Sequence, residues 1–230
     1  MNLPSEIKSI LQKLESVGFE AFVVGGCVRD LLLSKKPKDW DITTNAEPEK
    51  IQGIFPVSFY ENKFGTVGVK TDSEDDSLKV VEITTYRLES KYSDKRHPDK
   101  IEFTKAIEED LKRRDFTINA LAMDKDGKVV DLFGGKEDLQ NRLIRAVGEA
   151  EERFDEDALR LLRAIRFAIE LNFEIEEKTF KAIKKKSELI KMIAEERIRD
   201  EFLKIIQHTP WKKGKRHSNE VTEEELKTGP

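Results

Sequence analysis

Phe19-Glu20-Ala21-Phe22-Val23-Val24-Gly25-Gly26-Cys27-Val28-Arg29-Asp30-Leu31-Leu32-Leu33 carries an apolar run across a glycine pair into a second apolar run. Residues 19–24 read as a buried strand, Gly25-Gly26 as a tight turn and residues 28–33 as the start of a helix. Two adjacent glycines lack Cβ atoms, so backbone N–H groups can approach an anion there, and the helix start and Arg29 add positive potential. Taken alone, such a turn is a plain connection as readily as a phosphate cradle. Its neighbours decide.

Immediately downstream stands Asp39-Trp40-Asp41, on a predicted strand over residues 39–43. Residues two apart on a strand project from the same face, so the two carboxylates can share one metal site. Mg²⁺ prefers hard oxygen ligands and can bridge phosphates while lowering the proton affinity of an attacking hydroxyl. Glu82, on a predicted strand over residues 79–85, is a candidate third acid. A glycine turn beside paired aspartates points to triphosphate chemistry more than either does alone.

Further out, residues 3–17 show helical spacing stopped by Gly18, and residues 48–54 a short helix. Strands are predicted over 57–60, 66–70 and 79–85, and a strand pair over 120–123 and 129–132 around Asp126-Gly127. Between lies a polar stretch, 87–100, expected to be a mobile loop. Helices follow over 155–171, 177–187 and 194–207 with no strand signal, then a polar end. The fold class is α+β: a mixed-sheet head over residues 1–140, an all-helical neck over 141–207 and a flexible tail over 208–230.

The chain has 230 residues, 42 Lys+Arg against 46 Asp+Glu and a net charge of -4, so no global basic field marks a nucleic-acid binder and any such contact is local. Cys27 is the single cysteine, which excludes a disulfide framework within the chain and fits a reducing, cytoplasmic setting. Neither a signal-type apolar segment nor a membrane-spanning run is present, so no membrane partner is expected.

Four ordered segments carry a resemblance: Gly25-Gly26-Cys27-Val28-Arg29-Asp30, Asp39-Trp40-Asp41, Arg113-Arg114-Asp115-Phe116-Thr117-Ile118-Asn119-Ala120 and Glu156-Asp157-Ala158-Leu159-Arg160-Leu161-Leu162-Arg163. Together the chain resembles the class II tRNA nucleotidyltransferases (CCA-adding enzymes) and bacterial poly(A) polymerases of the polymerase β-like superfamily. The resemblance implies that Asp39 and Asp41 bind catalytic Mg²⁺, with Glu82 beside them, and that Gly25, Gly26 and Arg29 form a nucleotide-phosphate motif. It implies that Arg114 and Asn119 contact nucleotide, and that Arg163 and Arg166 continue towards base or phosphate.

On the predicted helix over residues 155–171, at about 100° per residue, Ala158, Leu162, Ile165 and Ile169 fall on one face and Arg160 and Arg163 roughly opposite, with Arg166 nearer the apolar edge. A carboxylate only accepts hydrogen bonds and a guanidinium only donates them. Asp157 with Arg160 can therefore complement the amino-donor and ring-acceptor edge that cytosine and adenine share, and mismatch guanine and uracil. This resembles the family's protein template for choosing CTP and ATP, and the stretch 87–100 corresponds to its switching segment.

The implied reaction adds C and A from CTP and ATP to a tRNA 3′ end, releasing pyrophosphate. C-only, A-only and poly(A) addition stay open, as does a non-catalytic nucleotide- or RNA-binding module. Family members continue into helical body and tail domains that hold tRNA. This chain stops before them, as a fragment, a natural short form, or with a protein partner supplying that grip.

Overall fold

The computed structural model describes residues 3–62, 65–89 and 101–208. In chain order the elements are α1 (Ser5–Ser16), β1 (Ala21–Val24), α2 (Gly26–Leu32), β2 (Asp41–Thr44), α3 (Pro48–Ile54), β3 (Ser58–Asn62), β4 (Thr66–Lys70), β5 (Val80–Thr85), β6 (Arg87–Glu89) and β7 (Ile101–Phe103). Then come α4 (Ile107–Lys112), a 3₁₀ turn (Thr117–Asn119), β8 (Leu121–Met123), β9 (Val129–Asp131), α5 (Gly135–Asn141) and β10 (Leu143–Ile144). The chain ends in α6 (Ala150–Glu156), α7 (Leu159–Leu171), β11 (Glu174–Ile175), α8 (Glu177–Lys186), a second 3₁₀ segment (Ser187–Met192) and α9 (Glu195–His208).

Seven strands form one sheet in the order β3-β4-β5-β2-β1-β8-β9. Only β2 and β5 run parallel, with Asp41 opposite Glu82, and the other pairings are antiparallel. This is the expected mixed sheet. Alternation writes itself along β5, where Val81 and Ile83 are buried between exposed Val80 and Glu82. α1 contributes Ile7, Ile10, Leu11 and Leu14, spaced three and four apart, to the core beneath. Burying each such side chain stabilises by about 1.5–3 kcal/mol.

The same core runs on without a break into the helices through Phe116, Ile144, Phe154, Leu161 and Phe167. Where the two parts meet, Phe116 and Phe167 stack edge to face with centroids 5.8 Å apart. An ion pair between buried Asp115 and half-buried Arg163 fixes this junction. Asp115 Oδ2 accepts from Arg163 Nε (2.8 Å) and Nη2 (2.6 Å), while Oδ1 accepts from Phe116 N (2.8 Å) and Asn119 Nδ2 (3.2 Å). Burial alone would push the Asp115 carboxyl up, but the Arg163 guanidinium, with further help from Arg160 and Asn119, holds it at about 2.

Three expectations are corrected. Helical residues 155–171 are not continuous: Asp157 separates α6 from α7, and its Oδ1 accepts from Leu159 N (3.0 Å), a local bond by which Asp starts helices. The buried side of α7 is not the face of Ile165, which is 36% exposed; it includes Leu161, Ala164 and Phe167 together with Arg160 and Arg166. Hydropathy leaves arginines in water, yet here carboxylates and carbonyls satisfy them inside. The neck is helical except for one parallel pair, with Leu143 opposite Glu174 and Ile144 opposite Ile175, two-residue strands too short to show a period of two. β6 and β7 pair at the base of the polar stretch, of which residues 90–100 lie outside the described residues, as do 209–230 of the expected tail.

Because the folded Asp115 sits near 2 against an ordinary 3.8, its contribution is present above about pH 4 and is lost as pH falls towards 2. Asp115→Asn is expected to lose about 2 kcal/mol at pH 7, and denaturant melts should show the gap to wild type closing between pH 4 and 2; a gap that ignores pH contradicts the ion-pair account. Gly135→Ala should also destabilise, by about 2 kcal/mol, since its Cβ would lie 2.2 Å from the Thr117 carbonyl oxygen, whereas Gly53→Ala meets nothing within 4 Å and should be neutral or stabilising.

Candidate active site at the junction of sheet and helices

β1 delivers the glycine turn to the sheet's end. Gly25 adopts φ +83°, a conformation open to glycine, and its N–H bonds the Leu121 carbonyl at 3.0 Å. A Cβ there would stand 2.8 Å from Arg114 Nη1, so the missing side chain is what admits Arg114. From the first turns of α2, buried Arg29 donates to Asn119 Oδ1 (2.9 Å) and Asp30 Oδ1 (2.8 Å), and its guanidinium lies 5.3 Å from the Phe167 ring centroid.

Asp41 opens β2, while Asp39 stands in the bend just before it, a displacement from the predicted strand. The alternation survives: Trp40 and Ile42 are buried, Asp39 is exposed and Asp41 half-buried. Beneath them the Cys27 thiol is pushed up to about 12, by burial first and then by the Asp41 charge, so it stays protonated and packs as an apolar group. Glu82 is exposed beside Asp41 in the β2–β5 register, but it does not line the cavity described next.

One cavity of about 500 Å³ draws most of the sequence-derived residues together. Gly25, Gly26 and Arg29 line it together with Arg114, Asn119, Asp39 and Asp41. Arg163 and Arg166 close it from α7. Arg166 is held by Glu201 Oε2 (2.6 Å) and Glu170 Oε2 (2.8 Å) and covers the Phe167 ring at 4.1 Å. Cations from both parts of the chain thus converge on a space edged by carboxylates, an arrangement suited to a polyanion that arrives with a divalent ion.

Two expected residues stand elsewhere. Asp157 pairs with Arg197 Nη2 at 3.0 Å and is not on the cavity lining. Arg160, 8% exposed, donates to the carbonyls of Arg153 and Arg113 (each 3.1 Å) and to Glu156 Oε2 (2.5 Å), also away from the lining. In return, the structure supplies lining residues that the sequence did not single out: Lys38, Asp115, Glu170, and Lys204, Gln207 and His208 from α9. Asp115 sits inside the quoted Arg-Arg-Asp segment and was within reach of inspection. The α9 residues owe their place to packing of α9 on α7, a long-range contact with no local signal.

Among the described residues no group of three or more His, Cys, Asp or Glu side chains is arranged to hold a metal ion. Asp39 and Asp41 nevertheless both line the cavity with carboxylate groups, a hard-oxygen donor set that fits an ion completing its shell with water and phosphate oxygens, as Mg²⁺ does. No helix among the described residues is long and apolar enough to cross a membrane.

Residues 21–145 match the family described as the poly A polymerase head domain, and residues 172–217 one described as a probable RNA and SrmB-binding site of polymerase A. The CCA-adding enzyme of Lactobacillus helveticus (strain DPC 4571) is 55% identical over 197 residues, 85% of this chain and 48% of that protein. That of Lactococcus lactis subsp. cremoris (strain MG1363) is 48% identical over 216 residues, 92% of this chain and 53% of that protein. Among solved structures, the Bacillus stearothermophilus CCA-adding enzyme in complex with CTP matches with TM-score 0.80 at 43% identity, covering 88% of this chain and 48% of that one. The chain spans about half the length of the curated relatives it matches. The head-domain match takes in the glycine turn, both cavity aspartates and the Arg113-Arg114-Asp115 segment, and the chain belongs to the poly A polymerase head-domain family.

Proposed function

We propose that this chain is the catalytic portion of a cytoplasmic, template-independent nucleotidyltransferase that adds C and A from CTP and ATP to a tRNA 3′ end, releasing pyrophosphate. The observation that carries the reading is the single cavity in which Gly25, Gly26, Arg29, Arg114 and Arg163 face Asp39 and Asp41. The relatives' identity supports the substrate class, since those are CCA-adding enzymes and one solved structure holds CTP. Residues 1–140 serve as the catalytic head and 141–207 as the neck.

In this reading Asp39 and Asp41 hold Mg²⁺, with Glu82 nearby on β5, and the ion supplies Lewis-acid polarisation of phosphate and acidification of the RNA 3′ hydroxyl. The chain's own residues do the rest. The glycine turn lets backbone approach the triphosphate, and Arg29 and Arg114 offset the charge that develops on the departing pyrophosphate. Asn119 orients Arg29, and Arg163, fixed by Asp115, presents its remaining donors to nucleotide alongside Arg166.

Asp157 and Arg160 select the base only after exchanging partners: Asp157 leaves Arg197, and Arg160 leaves Glu156. A nucleotide offering the wrong edge would leave those groups unpaired, at about 1–3 kcal/mol for each.

Incubation with tRNA lacking its 3′ CCA, and with CTP, ATP or both, is expected to give incorporation of C from CTP alone and completion only with both. Long A runs would reassign the chain to poly(A) synthesis, and no incorporation despite CTP binding would make it a binding module. Asp41→Ala is expected to lose at least about 10²-fold in rate with its melting temperature unchanged; full activity would remove the aspartate pair from the mechanism.

A further inference from the structure

A second carboxylate lies behind the cavity. Asp110, on α4, is fully buried, and arginines surround it. Its Oδ1 accepts from Arg113 Nε (3.0 Å) and Nη2 (2.7 Å). Its Oδ2 lies 3.4 Å from Arg114 Nη2 and 3.2 Å from the Thr43 hydroxyl. Arg87, at the start of β6, adds a third positive charge nearby. Burial raises the Asp110 carboxyl and these guanidinium groups outweigh it, leaving the group lowered and ionised at neutral pH.

These contacts differ in kind. The bonds to Arg113 are short and fasten α4 to its own C-terminus. The contact with Arg114 is longer, and it restrains a side chain whose other end reaches the glycine turn, where a Gly25 Cβ would lie 2.8 Å from Arg114 Nη1. Arg114 Nε is buried without a hydrogen-bond partner, so among the described residues Asp110 supplies the acceptor that restrains this guanidinium. Thr43 stands two residues beyond Asp41 on β2, so the same carboxylate also touches the strand that carries the aspartate pair.

We propose that Asp110 is a positioning residue: its buried charge holds Arg114 over the Gly25-Gly26 turn and, through Thr43, at a set distance from the strand of Asp41. The inference rests on reading the cavity as a triphosphate site. Arg113 and Arg114 are adjacent like charges, and without a buried counter-charge between them they repel and turn to solvent. With Asp110 in place, Arg114 is aimed before ligand arrives, so less of the binding free energy goes into ordering it. A second pull from the ligand's phosphates completes its coordination.

A double-mutant cycle on CTP binding separates this from a purely structural role. With the intact chain and Mg²⁺, calorimetry is expected to show Asp110→Asn binding CTP about tenfold more weakly than wild type. Arg114→Ala should lose at least as much, and the double variant should be no weaker than Arg114→Ala alone, because Asp110 then has nothing left to aim. Equal losses in both backgrounds would overturn the proposal. Should Asp110→Asn fail to fold, Thr43→Val decides by the same criterion: about a two- to threefold loss in the wild-type background and none beside Arg114→Ala supports it, and equal losses overturn it. If wild type binds neither CTP nor ATP, the cavity reading falls and this inference with it; binding by wild type with additive losses overturns this inference alone.

Discussion

The ion pair between Asp115 and Arg163 is the constraint on which the rest of the structure depends. It joins buried Asp115, of the sheet layer, to half-buried Arg163, of α7, beside the edge-to-face contact of Phe116 and Phe167. Removing Asp115 strands the Arg163 charge, at a cost of about 2 kcal/mol. Its geometric effect matters as much as its energy: the cavity has walls from both parts of the chain, and their spacing is set here.

The segment around this pair is dense in consequences. Within ten residues, Asp110 backs the cavity, the Arg113 carbonyl accepts from Arg160, Arg114 crosses the glycine turn, Asp115 clasps Arg163 and Asn119 orients Arg29. Each arginine at the cavity is therefore held by an acid or an amide. A chain with net charge -4 can still present a locally positive space, because the compensating carboxylates sit behind the arginines.

Much of this was legible in residue order. The helix at Pro48–Ile54 and the strand at Thr66–Lys70 follow from local composition and the structure repeats them, while around Gly25 the strand begins two residues later and the helix two residues earlier than expected, with Gly26 already helical. Nine of the twelve nominated site residues line one cavity; Glu82, Asp157 and Arg160 do not. What escaped was non-local. Arg160 fell opposite the apolar face and Arg166 nearer its edge, because helical spacing cannot see the Arg113 carbonyl that meets Arg160 or Glu201 of α9 that meets Arg166. Likewise Lys204, Gln207 and His208 reach the cavity only because α9 packs on α7.

Hydrogen–deuterium exchange with and without CTP and Mg²⁺ tests directly whether a single site spans both parts of the chain. The account predicts that ligand slows exchange together in the glycine turn at residues 23–30, in residues 113–120, and in the cavity-facing parts of α7 and α9. Protection confined to the sheet layer, with α7 and α9 unchanged, would contradict it.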